Sequence, residues 1–128
     1  MLSFIVPAYN EAVLLPGTLD ALFDVATRMG QPFEVIVVND GSTDETPEIA
    51  RQRGARVLDV AFRHIAATRN AGGRAANGET LFFVDADTHV NVEVITAALS
   101  AMNAGAVGGG AVIRLFGHVP LWARLFVP

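Results

Sequence analysis

The strongest constraint on this chain is a repeated arrangement in which a short apolar run stops abruptly at a polar cluster. It occurs at Leu2–Val6 before Pro7, at Phe33–Val38 before Asn39, and at Thr80–Val84 before Asp85. The cores of these runs do not alternate apolar with polar residues. Strands of that kind are covered on both faces, which usually means a parallel sheet, and a parallel sheet needs a crossover after each strand. Helical patterns lie where those crossovers belong. Leu15, Leu19, Leu22 and Ala26 recur at helical spacing, Pro16 fits only the first turn, and Gly30 closes the segment. Thr46-Pro47-Glu48 reads as the start of a short helix, with Thr46 as its N-cap, ended by Gly54. Val57–Val60 is a third, shorter strand. Residues 65–77 read as a helix that is irregular around Gly72-Gly73 and stopped at Gly78. Val92, Ile95, Leu99 and Met102 trace a further helix ended by Gly105, and Ala106–Ile113 reads as a fifth strand. The order β-α-β-α-β-α-β-α-β predicts an α/β fold: an open, mostly parallel, Rossmann-like sheet with helices on both faces.

Composition narrows the class. The 128 residues suit one domain, and 52% hydrophobic with 17% charged residues exclude a disordered chain. A net charge of −4 argues against a nucleic-acid partner, since phosphate-backbone binding needs a basic face. The chain has no cysteine, so disulfides and thiolate metal sites are excluded. No apolar run reaches the roughly 18–20 residues of a membrane span, and the amino terminus reads as a strand rather than a leader. The expectation is a soluble, cytoplasmic protein.

In open α/β sheets ligands collect beyond the carboxyl ends of the strands. Three segments occupy those positions: Pro7–Glu11, Asn39–Asp44 and Asp85–Thr88. Asp85 and Asp87 follow a strand directly, and carboxyl groups about 5 Å apart repel by roughly 3 kcal/mol at an effective dielectric of about 20. Hard oxygen ligands in a pair suit Mg²⁺ or Mn²⁺, which typically add substrate phosphates to one or two protein carboxylates. Alone, the tripeptide reads more readily as a solvated turn or as helix-capping acids before Val92 than as a metal site. Asp40 is an acceptor able to take the N–H of a base ring, and Gly41 permits close backbone approach; Asx-turn chemistry is the plainer alternative. Tyr9 offers a face for stacking and Glu11 a carboxylate for sugar hydroxyls, although Tyr9 alone reads as well as rim packing.

Taken together the loops are more specific. Ile5-Val6-Pro7-Ala8-Tyr9-Asn10-Glu11, Val35–Asp44, Arg69-Asn70-Ala71-Gly72 and Gly78–Asp87 resemble, in order and spacing, the amino-terminal part of a family 2 glycosyltransferase of the GT-A fold. The resemblance implies inverting transfer of a sugar from a nucleotide diphosphate sugar, UDP- or GDP-linked. It places Pro7, Tyr9 and Glu11 on the nucleotide pocket and Val38 and Asp40 at the base. It places Asp85 at the ribose and the metal's surroundings, the Ala86 backbone nearby, Asp87 on the metal, and Arg69 near the base or pyrophosphate. Arg114, after the glycine-rich stretch, would add positive charge to the donor site. The metal would act as a Lewis acid for the departing diphosphate.

Two departures stand out: Asn39 where many relatives have aspartate, and Phe62-Arg63-His64-Ile65, which lacks the family's usual asparagine and glycine. An inverting transfer needs a general base, and the family supplies it well beyond Asp87, whereas nothing acidic follows Glu93. Residues 1–128 are therefore expected to form the donor-binding portion of a catalytic domain. The alternative is a nucleotide-sugar-binding module or fragment without turnover of its own. A phosphoryl-transfer site of the receiver type would need a lysine, and the chain has none. His64, His89 and His118 show no ligand spacing; His89 alone neighbours the carboxylate pair. The acceptor is expected to be lipid-linked or a saccharide. The apolar, aromatic tail Leu115–Phe126 suits either peripheral contact at the cytoplasmic face of a membrane or packing against further structure.

Overall fold

In a computed structural model, residues 1–87, 92–103, 111–114 and 122–126 are described. They form β1 (Leu2–Ala8), α1 (Leu15–Arg28), β2 (Phe33–Asp40), α2 (Thr46–Gln52), β3 (Arg56–Val60), α3 (Ile65–Ala75), β4 (Thr80–Val84), α4 (Val92–Asn103), β5 (Ala111–Arg114) and β6 (Trp122–Phe126). The strand order is β3-β2-β1-β4-β6-β5. β1 pairs in parallel with β2 and β4, and β2 in parallel with β3. The chain thus builds outward from β1 to β3, then returns to lay β4 on the other side of β1. That reversal opens a crevice at the carboxyl ends of β1 and β4.

The absence of alternation has the expected cause. Phe4, Val6, Val35, Val37, Phe82 and Val84 face one way, into a cluster shared with Leu15, Leu19 and Leu22 of α1, Ala50 of α2 and Ile95 of α4. Phe4 and Phe82 stack at its centre with ring centroids 5.1 Å apart. Ile5, Ile36, Val38, Leu81 and Phe83 face the other way, toward α3. Both faces exclude water, so both must be apolar. β3 at the edge is only partly buried.

Three expectations change. α3 runs unbroken through Gly72-Gly73, because packing on the sheet outweighs the low helix propensity of glycine. A Cβ at Gly72 would lie 2.5 Å from Ile5 Cγ2 and 2.7 Å from Val38 Cγ2, so the glycine lets the helix sit against the strands. α2 is not capped by the Thr46 side chain; Asp44 Oδ1 accepts the Thr46 N–H at 3.0 Å and supplies the missing partner. Finally, the described part of the aromatic tail, Trp122–Phe126, is a strand of the sheet, and residues 115–121 lie outside the described residues. That strand is β6, inserted antiparallel beside β4, with β5 antiparallel beyond it. Within Ala106–Ile113, the strand described begins only at Ala111 and runs to Arg114. Among the described residues no helix is long and apolar enough to cross a membrane.

Candidate functional site

A cleft of about 430 Å³ occupies the strand-order reversal, within the range of small-ligand sites. Its first wall is the turn after β1, with Pro7, Tyr9 and Glu11; its floor is Asp40 at the end of β2. Arg63, His64 and Thr68 come from the approach to α3, and Asp85, Ala86 and Asp87 from the turn after β4.

The turn after β1 is fixed by the turn after β2. Asn10 has φ 51°, a left-handed conformation that asparagine tolerates better than most residues. Its Oδ1 accepts the Thr43 N–H at 2.8 Å, while its own N–H donates to Ser42 Oγ at 2.9 Å. The next two N–H groups donate to Thr46 Oγ1 (Glu11, 2.9 Å) and Asp44 Oδ2 (Ala12, 3.2 Å). Tyr9 and Glu11 are therefore presented by a turn with little freedom. Asn39, the departure from the family's aspartate, donates through Nδ2 to Asp59 Oδ1 at 2.9 Å. An aspartate there would face Asp59 as a like charge.

Asp40 is buried and heavily used by its own chain. Oδ1 accepts the N–H groups of Phe62 at 2.7 Å and Arg63 at 2.9 Å, and Oδ2 lies 3.2 Å from the Thr68 hydroxyl. That fills three of the roughly four acceptor positions of a carboxylate. Burial opposes its ionisation, but these hydrogen bonds outweigh it and hold the carboxyl below the usual carboxylate range. The His64 backbone N–H adds a smaller contribution to the same carboxylate.

The turn after β4 carries the paired carboxylates. Arg69 Nη2 lies 3.1 Å from Asp85 Oδ1. Asp87 is exposed and has no ion-pair partner among the described residues. Glu11, across the crevice, has its carboxyl pushed up, first by burial and then by the charges of Asp87, Asp44 and Asp85. The negative charge gathered here is thus only partly compensated. Between the two acids, the carbonyl of Ala86 accepts the Thr18 hydroxyl of α1 at 2.6 Å in a buried hydrogen bond. Thr18→Val keeps the shape and removes the donor. It is expected to destabilise the fold by about 1–3 kcal/mol, the usual consequence of an unsatisfied buried carbonyl, read as a lower urea midpoint at unchanged m-value.

Of the residues singled out in the sequence, Pro7, Tyr9, Glu11, Asp40, Asp85, Ala86 and Asp87 share this crevice. Arg69 stands behind it, paired to Asp85. The Val38 side chain is fully buried in the cluster under α3 and does not line the crevice. Arg114 ends β5, its backbone registered with Trp122, and its side chain lies outside the described residues. His89 also lies outside them. Thr18, Arg63 and Thr68 carried no sequence signal, because their partners are distant along the chain. His64 had one: it precedes the expected helix start, and its Nδ1 accepts the Ala67 N–H at 3.2 Å as the N-cap of α3. Among the described residues no group of three histidine or acidic side chains is placed to hold a metal by itself.

A parallel sheet reversed at β1 and β4, with carboxylates following β4 and a strand returning antiparallel beside it, defines a chain of the GT-A type. Comparison with known proteins agrees. The family model described as glycosyl transferase family 2 matches residues 3–124, and the chain belongs to that family. It is 34% identical over 108 residues to validoxylamine A glucosyltransferase of Streptomyces hygroscopicus subsp. jinggangensis, an alignment covering 79% of this chain and 25% of that protein. Among solved structures it resembles the mannosyltransferase PcManGT of Pyrobaculum calidifontis in complex with GDP-Man and Mn²⁺. There the TM-score is 0.72 at 29% identity, over 84% of this chain and 33% of that one. The TarS 1-349 structure of S. aureus in complex with UDP-GlcNAc is similar at TM-score 0.67 and 29% identity, over 87% of this chain and 32% of that one. The chain spans about a quarter of the length of curated relatives it matches.

Proposed function

We propose that the crevice binds the nucleoside diphosphate of a sugar donor, and that the chain forms the donor-binding part of an inverting glycosyltransferase. The observation that carries this reading is the convergence of Tyr9, Glu11 and Asp40 with Asp85 and Asp87 on one strand-order reversal. Tyr9 supplies a partly exposed aromatic face for the base, Asp40 an acceptor at its edge, and Glu11 a carboxyl for donor hydroxyls. Asp85 and Asp87 would hold Mg²⁺ or Mn²⁺. The donor set fits: two hard oxygen ligands at a site of uncompensated negative charge, with the diphosphate completing the coordination. When bound, the ion stabilises charge growing on the departing diphosphate. This chain's own residues bind and orient: the Thr18–Ala86 hydrogen bond fixes the turn bearing both acids, and Arg69 fixes the rotamer of Asp85. The solved relatives bound to UDP-GlcNAc, and to GDP-Man with Mn²⁺, support the ligand class. The base that deprotonates the acceptor is assigned to no residue among 1–87.

Titration calorimetry with UDP and GDP, in Mn²⁺ and again in EDTA, tests the reading. One of the two nucleotides is expected to bind, at least about tenfold more tightly with Mn²⁺, a difference of about 1.4 kcal/mol. Equal affinity in EDTA would remove the metal from the site, and no binding of either nucleotide would remove the donor.

A further inference from the structure

The Arg63 guanidinium lies over the Tyr9 ring, its Cζ 3.7 Å from the ring centroid. That is contact distance, so no planar group fits between them. Arg63 also has φ 49°, a left-handed backbone that is costly for any residue with a Cβ. The conformation is held by Asp40, whose Oδ1 accepts the N–H groups of both Phe62 and Arg63. The backbone is therefore pinned to the floor of the crevice, while the side chain, solvent-exposed, is free to turn about its own bonds. The charges around it are of one sign. The crevice is lined by the carboxylates of Glu11, Asp40, Asp85 and Asp87, and Arg63 is its one lining arginine among the described residues. Arg69 is engaged with Asp85, whereas Arg63 makes no ion pair among the described residues.

We propose that Arg63 is a donor-binding residue that works by exchange: a nucleobase takes the Tyr9 face, and the released guanidinium moves its charge to the diphosphate. The inference rests on the donor-binding reading of the crevice. A stack at an exposed site is weak beside a charge-assisted hydrogen bond to phosphate, so the exchange favours the phosphate. Discrimination follows from it. A nucleoside alone must displace Arg63 without offering it a new partner, while a nucleoside diphosphate supplies one.

The test compares a nucleotide with its nucleoside. In Mn²⁺, Arg63→Gln is expected to weaken binding of the preferred nucleotide, UDP or GDP, by about tenfold or more. Its dependence on salt should become shallower. Affinity for the matching nucleoside, uridine or guanosine, should stay the same or rise. Arg63→Lys, which keeps the charge, should hold nucleotide affinity within about threefold of the parent chain. Tyr9 is the sole tyrosine, so ¹³C-tyrosine labelling gives one set of ring signals. Those signals should shift in Arg63→Gln without any ligand as the guanidinium leaves the ring. Equal loss for nucleoside and nucleotide would mean that Arg63 sandwiches the base and would overturn the exchange, as would unchanged nucleotide affinity or a Tyr9 signal indifferent to Arg63→Gln. If the parent chain binds neither nucleotide nor nucleoside, the donor reading fails and the exchange with it. A Tyr9 signal that still responds to Arg63→Gln would then show that the stack itself had been read correctly.

Discussion

Asp87→Ala is expected to lower affinity for UDP or GDP in Mn²⁺ by about 100-fold or more, since even groups that only orient metal ligands are commonly worth 10–100-fold. Affinity in EDTA should hardly change, and the variant should melt at or slightly above the temperature of the parent chain. The second half follows from the electrostatics. Asp87 is exposed, has no ion-pair partner among the described residues, and adds to the repulsion that pushes up the Glu11 carboxyl. Removing it relieves like-charge repulsion and breaks no described hydrogen bond. Loss of metal-dependent binding without loss of stability separates a functional carboxylate from a helix cap, whose removal typically costs about 1 kcal/mol of stability. Paired calorimetry and thermal melts measure both. Unchanged affinity in Mn²⁺ would return the pair to the plainer reading of a solvated turn. Asp85 is a poorer probe, because its loss also strands Arg69.

The second large effect lies in α3, where neighbouring glycines should respond with opposite signs. At Gly72 an added methyl meets Ile5 Cγ2 and Val38 Cγ2 at 2.5 and 2.7 Å, inside any tolerable contact. Overpacking typically costs about 1–3 kcal/mol and sometimes more, and it must exceed the roughly 1 kcal/mol that alanine gains over glycine in a helix. Both colliding atoms belong to β-branched side chains fixed in the sheet, so neither can turn away cheaply. Gly72→Ala should therefore destabilise by about 2 kcal/mol net, lowering the melting temperature by about 5–10 °C. At Gly73 the nearest atom to an added methyl is Phe83 Cζ at 3.4 Å, an ordinary contact. Gly73→Ala should keep the propensity gain and stabilise by about 0.5–1 kcal/mol. Equal effects at the two positions would mean that α3 does not sit against the strands as described.

The contrast between those glycines shows where reading the sequence stops. Propensity treats Gly72 and Gly73 alike and predicts an irregular helix; only the distance to Ile5 and Val38 tells them apart. The sheet through β4 was legible because its strands are short apolar runs ended by polar turns, a signal contained within a few residues. The crevice was legible for a related reason: ligand sites follow strand ends, and the strand ends were visible. What escaped depends on partners far apart in the chain. Asp44 caps α2 through a turn shared with Asn10, Asp40 pins Arg63, and Thr18 holds Ala86. Val38 was assigned to the base by position in the pattern; its side chain is on the same strand face as Asp40 but two residues short of the strand end, where α3 covers it.

β6 has a bearing on how the site is held together. β1 supplies ladder partners to β4 only as far as Phe83. Val84, the last residue before the carboxylate pair, is registered instead with Ala123 of β6. The wall bearing Tyr9 and the wall bearing Asp40 draw their hydrogen-bond partners from the first 68 residues. The backbone just ahead of the carboxylate pair draws its ladder partner from residues 122–126 instead, so the two sides of one crevice are held by opposite ends of the chain.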